Sequence, residues 1–153
     1  MQIKILFFVA ALLCGQAAFS QNAPLRQKNF LLEDGLALSG YDPVTYFQKA
    51  PAKGSKSYTF TQDGINYRFA SAANLETFKK NPAAYEPQYG GWCAYALGKR
   101  GEKVEVNPET YKIINGKLYL FYNRFFSNTL TEWNKDESNL KTRADGNWSK
   151  LYQ

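Results

Sequence analysis

The chain has 153 residues, 19 Lys and Arg against 13 Asp and Glu, a formal net charge of +6, two cysteines, one methionine and no histidine. That inventory excludes a Cys–His hydrolase. It all but excludes a closed zinc or copper(I) site within one chain, because such sites need several thiolate, thioether or imidazole donors. The positive charge is spread along the sequence, with only GKRGEK at 98–103 locally dense, so the basic face with aromatic platforms that marks nucleic-acid binding is missing.

Residues 1–20 have the pattern of a secretory signal peptide. MQIK gives a basic start, ILFFVAALL at 5–13 an apolar run, and Ala18-Phe19-Ser20 small residues where a signal peptidase reads. The run is shorter than the roughly 20 apolar residues a bilayer span needs, and no later stretch comes closer. The mature protein is therefore expected to start at Gln21 and to be exported, periplasmic or secreted. A lipid anchor on Cys14 is disfavoured by the bulky Leu13 before it. Export leaves Cys93 as the one cysteine, so no internal disulfide forms. Packing of 11 Phe, 11 Tyr and 3 Trp must hold the domain.

Residues 21–37 read as a mostly polar N-terminal arm, broken by Phe30, Leu31 and Leu32. A single domain is expected over 38–151. It opens with LSGYDPVTYF, where Gly40 and Pro43 mark turns and Tyr41, Val44, Tyr46 and Phe47 are core candidates. KAPAKGSKS at 49–57 is a loop. In SYTFTQDGINYRF, Tyr58 and Phe60 alternate with polar residues, as do Ile65, Tyr67 and Phe69, and Asp63-Gly64 between them predicts a β-hairpin. Ser71 then caps a helix carrying Leu75 and Phe78. Asn81-Pro82 starts a further helical turn that Tyr85 closes.

QYGGWCAYAL at 88–97 predicts a helix over 91–97 with Cys93 in its first turn. YKIINGKLYLFYN at 111–123 predicts a second hairpin around Asn115-Gly116. Asn123 is expected to cap a helix with Phe126, Leu130 and Trp133 on one face. Leu140, Ala144, Trp148 and Leu151 give a last helical stripe, weakened by Gly146. Gly64, Tyr67, Phe69 and Ser71 match Gly116, Tyr119, Phe121 and Asn123 at a constant offset of 52. The match is either an internal duplication of a hairpin–helix unit or a chance likeness of two ordinary hairpins. The fold class is α+β: small antiparallel hairpins packed with short helices.

Asp42-Pro43-Val44, Tyr58, Gly64, Tyr67-Arg68-Phe69, Ser71, Phe78, Asn81-Pro82 and Tyr85 together resemble the YHS domain. GYDPVTYF, YGGWCAYAL and INGKLYLFYN resemble its exported single-domain branch. The resemblance covers residues 38–151 and implies metal handling, since related modules accompany heavy-metal-transporting ATPases. The usual ligand cysteines are absent: Thr45 follows Val44, Ala70 separates Phe69 from Ser71, and Asn74 stands where a later cysteine would be. Ala73 lies near the place of the family's histidine. The resemblance therefore carries over a scaffold and not a metal site.

Four readings of Cys93 follow. It binds copper or zinc weakly with carboxylates such as Asp42, Glu86 or Asp145, and with Tyr89 or Tyr95 as poor oxygen ligands. It shares an ion with Cys93 of a second chain in a dimer. It is a redox thiol, although no second cysteine is present to resolve a sulfenic acid. Or it is a small buried apolar residue packed among Trp92, Tyr95 and Leu97. Gly90 and Gly91, with Tyr89, Trp92 and Tyr95 around them, form either an aromatic-walled pocket or a packed turn. Glu102, Glu105, Glu109, Glu132, Asp136 and Glu137 do not converge as acid–base catalysis requires. The expected function is an exported, non-enzymatic binding module for a weakly held metal, a protein or a small ligand. The alternatives are a thiol-dependent redox protein and an accessory domain of the cell envelope.

Overall fold

The structure is a computed structural model, and it describes residues 22–153. The expected signal peptide, with Cys14, lies outside the described residues. The fold is α+β. Its frame is two β-hairpins, β3 (Ser55–Gln62) with β4 (Ile65–Phe69), and β5 (Asn107–Ile114) with β6 (Lys117–Phe121). Each turns through an Asp-Gly or Asn-Gly pair with both residues at positive φ, +44° and +83° at Asp63-Gly64 and +50° and +72° at Asn115-Gly116. That is the type I′ geometry whose twist matches the flanking strands.

The two hairpins pair in the same register. Phe60 lies opposite Tyr67 and Lys112 opposite Tyr119, and the remaining pairs follow at the same offset of 52. Even the irregularity repeats. The chain passes from Ser55 to Thr59 while β4 moves only from Phe69 to Arg68, and from Asn107 to Tyr111 while β6 moves only from Phe121 to Leu120. The two hairpins therefore repeat one structural plan, bulge included.

Residues 22–37 are not a separate arm. Helix α1 (Ala23–Asn29) and strands β1 (Leu32–Glu33) and β2 (Leu36–Ala37) belong to the body, and the sheet order is β1-β2-β4-β3. Phe30 and Ala37 are buried. Asp34-Gly35 makes a third turn of the same kind, with φ +52° and +76°.

Alternation explains the burial of β4, where Ile65, Tyr67 and Phe69 point inward and Asn66 is exposed. Strand β6 is buried on both faces. Leu118 and Leu120 join the core of Tyr46, Tyr67, Phe69 and Phe78, while Tyr119 and Phe121 join a second core with Leu97, Trp133 and Leu140. The second core exists because α4 (Ala94–Arg100) and α6 (Glu137–Leu151) cover the far face of this hairpin. They approach closely at Gly98, where a Cβ would lie 2.4 Å from the carbonyl oxygen of Leu140.

Helix α2 (Ala72–Lys80) starts as predicted, with Ser71 accepting a hydrogen bond from the Asn74 N–H, and α3 (Pro82–Tyr85) opens on Pro82. Three expectations fail. The helix predicted over 91–97 begins at Ala94, with Cys93 as its N-cap, because Tyr89, Gly90 and Gly91 all take positive φ. Asn123 caps nothing; it belongs to a small hairpin of β7 (Asn123–Arg124) and β8 (Ser127–Asn128). The cap of α5 (Thr129–Trp133) is Asn128, so Phe126 lies outside the helix whose stripe it was expected to join. Among the described residues no helix is long and apolar enough to cross a membrane.

Candidate functional site

The repeated plan runs further than the hairpins and ends on Cys93. Leu38, Ser39 and Gly40 have φ of +57°, +48° and +81°, and Tyr89, Gly90 and Gly91 have +56°, +60° and +91°. After each triplet one backbone N–H turns back: Tyr41 donates to the Leu38 carbonyl at 2.9 Å, and Trp92 to the Tyr89 carbonyl at 3.2 Å. Next, the Asp42 N–H donates to the Ala52 carbonyl at 2.8 Å, and the Cys93 N–H to the Val104 carbonyl at 2.9 Å. Finally the residue just past each hairpin donates its N–H to a side chain. Ala70 donates to Asp42 Oδ2 at 2.8 Å, and Tyr122 to Cys93 Sγ at 3.3 Å. Cys93 therefore occupies in the second unit the place of Asp42 in the first, and both are fully buried.

The two joints differ in strength. Asp42 also accepts from the Val44 N–H at 2.8 Å and from Asn74 Nδ2 at 2.6 Å. Cys93 Sγ meets only Thr129 Oγ1 in addition, at 3.4 Å. Thr129 gives its hydroxyl proton to the Tyr122 carbonyl at 2.9 Å, so the thiol donates to Thr129 and accepts from Tyr122. The thiol is buried, as one reading of the sequence expects, but it is hydrogen-bonded on both sides and not simply an apolar filler.

The repeated plan also isolates an insertion. In the first unit Ser71 follows Ala70 and caps α2 directly. In the second, the β7–β8 hairpin intervenes between Tyr122 and the cap Asn128. Its turn residues, Phe125 and Phe126, are 95% and 107% exposed, and Phe125 holds a φ of +55°. Beside the hairpin a pocket of about 280 Å³ opens. Cys93, Tyr95, Ala96, Val104, Tyr122 and Thr129 line it, with Arg100, Ser127 and Glu132. Neither phenylalanine lines it.

The structure divides the sequence-predicted site residues. Only Tyr95 shares the pocket with Cys93. Gly90 is a packed turn, since a Cβ there would lie 3.0 Å from Phe30 Cα, and its carbonyl accepts from the Leu31 N–H at 2.9 Å. Gly91 lines a different cavity with Leu31, Leu38 and Arg124. Tyr89 packs against Trp148 at 6.3 Å between ring centres and donates its hydroxyl to Asp145 Oδ1 at 2.7 Å. Burial, and then the Asp145 carboxylate, push that phenol far above its ordinary pKa. Trp92 Nε1 donates to the Asn29 carbonyl at 2.6 Å. Lys103 Nζ stands 5.9 Å and 5.8 Å from the Trp92 and Trp148 ring centres and donates to Asn29 Oδ1 at 2.7 Å. Burial, helped by Lys28, lowers the pKa of its ammonium. Tyr41 lies elsewhere, hydrogen-bonded to Glu109 at 2.9 Å.

The carboxylates expected beside Cys93 are engaged elsewhere. Asp42 holds the equivalent joint, Glu86 accepts from Tyr67 and Arg26, and Asp145 accepts from Tyr89 and Lys141. Among the described residues no three or more His, Cys, Asp or Glu side chains group as metal ligands. The donors around Cys93 therefore do not fit a copper or zinc ion within one chain. A shared ion would require the thiol to lose the proton it donates to Thr129 and to become accessible to a second chain. The remaining motif residues, Pro43, Phe69, Phe78, Pro82 and Tyr85, build the first unit, with Tyr85 against Phe47 at 5.2 Å.

Sequence reasoning missed Thr129, Tyr122 and the Phe125-Phe126 tip. The one available signal was the change of offset, from 52 at Ala70 and Tyr122 to 57 at the caps Ser71 and Asn128. No family model, no curated protein and no solved structure matches the chain.

Proposed function

We propose that this protein is an exported, non-enzymatic, YHS-like binding module, and that its ligand site is the pocket beside Cys93. Export rests on the leader pattern of residues 1–20, and the YHS reading on the motif residues of the first unit. One observation carries the site. Two units share a backbone plan, and only the second has an added hairpin with two solvated phenylalanines, beside a pocket that reaches its joint residue Cys93. Exposed aromatic pairs do nothing for the fold that carries them and mark contact surfaces. A buried thiol with both hydrogen-bonding roles filled, in a chain without histidine, supports binding rather than thiol chemistry.

The pocket, at about 280 Å³, is just under the roughly 300–1,000 Å³ of drug-sized ligand sites. Its size and its walls of Tyr95, Tyr122, Val104 and Ala96 suit one aromatic or aliphatic side chain. The test is a heteronuclear NMR titration of the protein with N-acetyl-phenylalaninamide. Shifts confined to the amides of Cys93, Tyr95, Ala96 and Tyr122 are expected. No saturable shift there overturns the site. Titration with zinc(II) and copper(I) is the companion measurement. Stoichiometric binding that disappears in Cys93→Ser would move the function to metal.

A further inference from the structure

We infer that one ring of the Phe125-Phe126 tip of a second copy of this chain occupies the Cys93 pocket, exchanged reciprocally in a twofold dimer in which the other ring packs at the pocket's rim. The inference rests on the binding-module reading above and names its partner. Both halves of the contact are present on one face. The pocket is lined by Tyr122, just before the hairpin, and by Ser127 within it, yet the two rings at the hairpin's tip stand almost fully in solvent. A protruding group beside a cavity of matching chemistry that its own chain leaves open is self-complementary. A twofold axis between them lets each copy fill the other, as closed symmetric interfaces require.

Charge at this face fits the same partner. Arg100 pairs with Glu102 at 2.7 Å and Arg124 with Glu105 at 3.5 Å. The arginines nearest the pocket and the tip therefore carry their own counter-charges, which lowers the repulsion between two copies of a basic chain. A locally balanced tip also lacks the cationic excess that would draw it to an anionic bilayer. Phenylalanines bury roughly 150–250 Å² each, so four of them supply most of the roughly 1,000 Å² at the lower edge of specific interfaces. The expected complex is weak and depends on concentration.

Sedimentation velocity over a dilution series tests this with the wild type, with F125S/F126S and with Glu132→Trp. The last offers an indole from α5 to fill the pocket and leaves the hairpin sequence unchanged. The wild type is expected to show a monomer–dimer equilibrium, weakened at least tenfold in either variant. An equimolar mixture of the two variants should regain a heterodimer, because one tip and one pocket still match. Circular dichroism melting confirms that each variant is folded. A wild type monomeric at every concentration overturns the inference, as does a dimer that survives in either variant. Binding of the wild-type monomer to phosphatidylcholine vesicles, lost in F125S/F126S, would make the tip a bilayer anchor and overturn it too. If the chain is monomeric but N-acetyl-phenylalaninamide still shifts the pocket amides, the dimer fails and the binding module stands. If neither is seen, both fail.

Discussion

The two units share a backbone plan and use it differently. The first closes its joint with a carboxylate that accepts three hydrogen bonds, and one face of β4 looks toward solvent. The second closes the same joint with a thiol holding two weak contacts, buries β6 on both faces and adds a hairpin. The first unit is built to hold shape. The second has a softer joint, made tolerable by a second core, and next to that joint lies the pocket. The comparison teaches where to look for function, because the added hairpin and its two solvated phenylalanines lie outside both the shared plan and the second core.

The largest expected effect tests the joints themselves. Asp42→Ala strands three donors, the N–H groups of Val44 and Ala70 and the Asn74 amide, and should cost about 3–5 kcal/mol. Cys93→Ala loses a thiol's weaker bonds and leaves a small void, about 1–2 kcal/mol. Urea denaturation of both variants checks the asymmetry, and equal losses would break the comparison.

The second core provides the next effect. A methyl at Gly98 must push the Leu140 backbone away, so Gly98→Ala should cost about 1–3 kcal/mol by separating α4 from α6. Melting followed by near-ultraviolet circular dichroism of Trp133 and Trp148 would report it. The opposite sign is expected within the same helix pair. Gly146 sits in α6 with open space where a Cβ would go, so Gly146→Ala should stabilise by about 0.5–1 kcal/mol in the same assay.

The smallest effect is in acid. Burial alone would raise the pKa of Asp145, but hydrogen bonds from Lys141 and Tyr89 outweigh it and hold the carboxyl below its ordinary value. A depressed carboxyl contributes stability above its unfolded value and loses it as the pH falls through the folded one. The pair is half exposed, so the contribution is at most about 1 kcal/mol. Asp145→Asn should flatten the stability profile below about pH 4 and leave its upper part unchanged in shape.

Much of the frame was legible because its signals are local. Asp63-Gly64 and Asn115-Gly116 between alternating strands are unambiguous turns, and Ser71 before Leu75 and Phe78 is an unambiguous helix start. Asp34-Gly35 carries the same signal and was passed over because its strands are only two residues long. The β7–β8 hairpin was hidden for the opposite reason. RFFS has no glycine, and Phe126, Leu130 and Trp133 happen to fall at helical spacing. The equivalence of Cys93 with Asp42 could not be read at all, since a thiol and a carboxylate share only the ability to accept an N–H. Leu38-Ser39-Gly40-Tyr41 and Tyr89-Gly90-Gly91-Trp92 share only a glycine followed by an aromatic residue, at an offset of 51 that differs from the 52 of the hairpins. Both become visible only through the backbone that holds them.

Helix α1 has a consequence for the order of events during synthesis. Asn29 receives Trp92 and Lys103 from the middle of the chain, and Lys28 donates to the carbonyl of Gln153. The first described helix therefore docks in two stages. Arg26 and Gln27 can reach the carbonyls of Asp63 and Gly64 as soon as the first hairpin has closed over its short turn. Asn29 and Lys28 must wait for residues made much later, so one end of the helix is held while the other is still open.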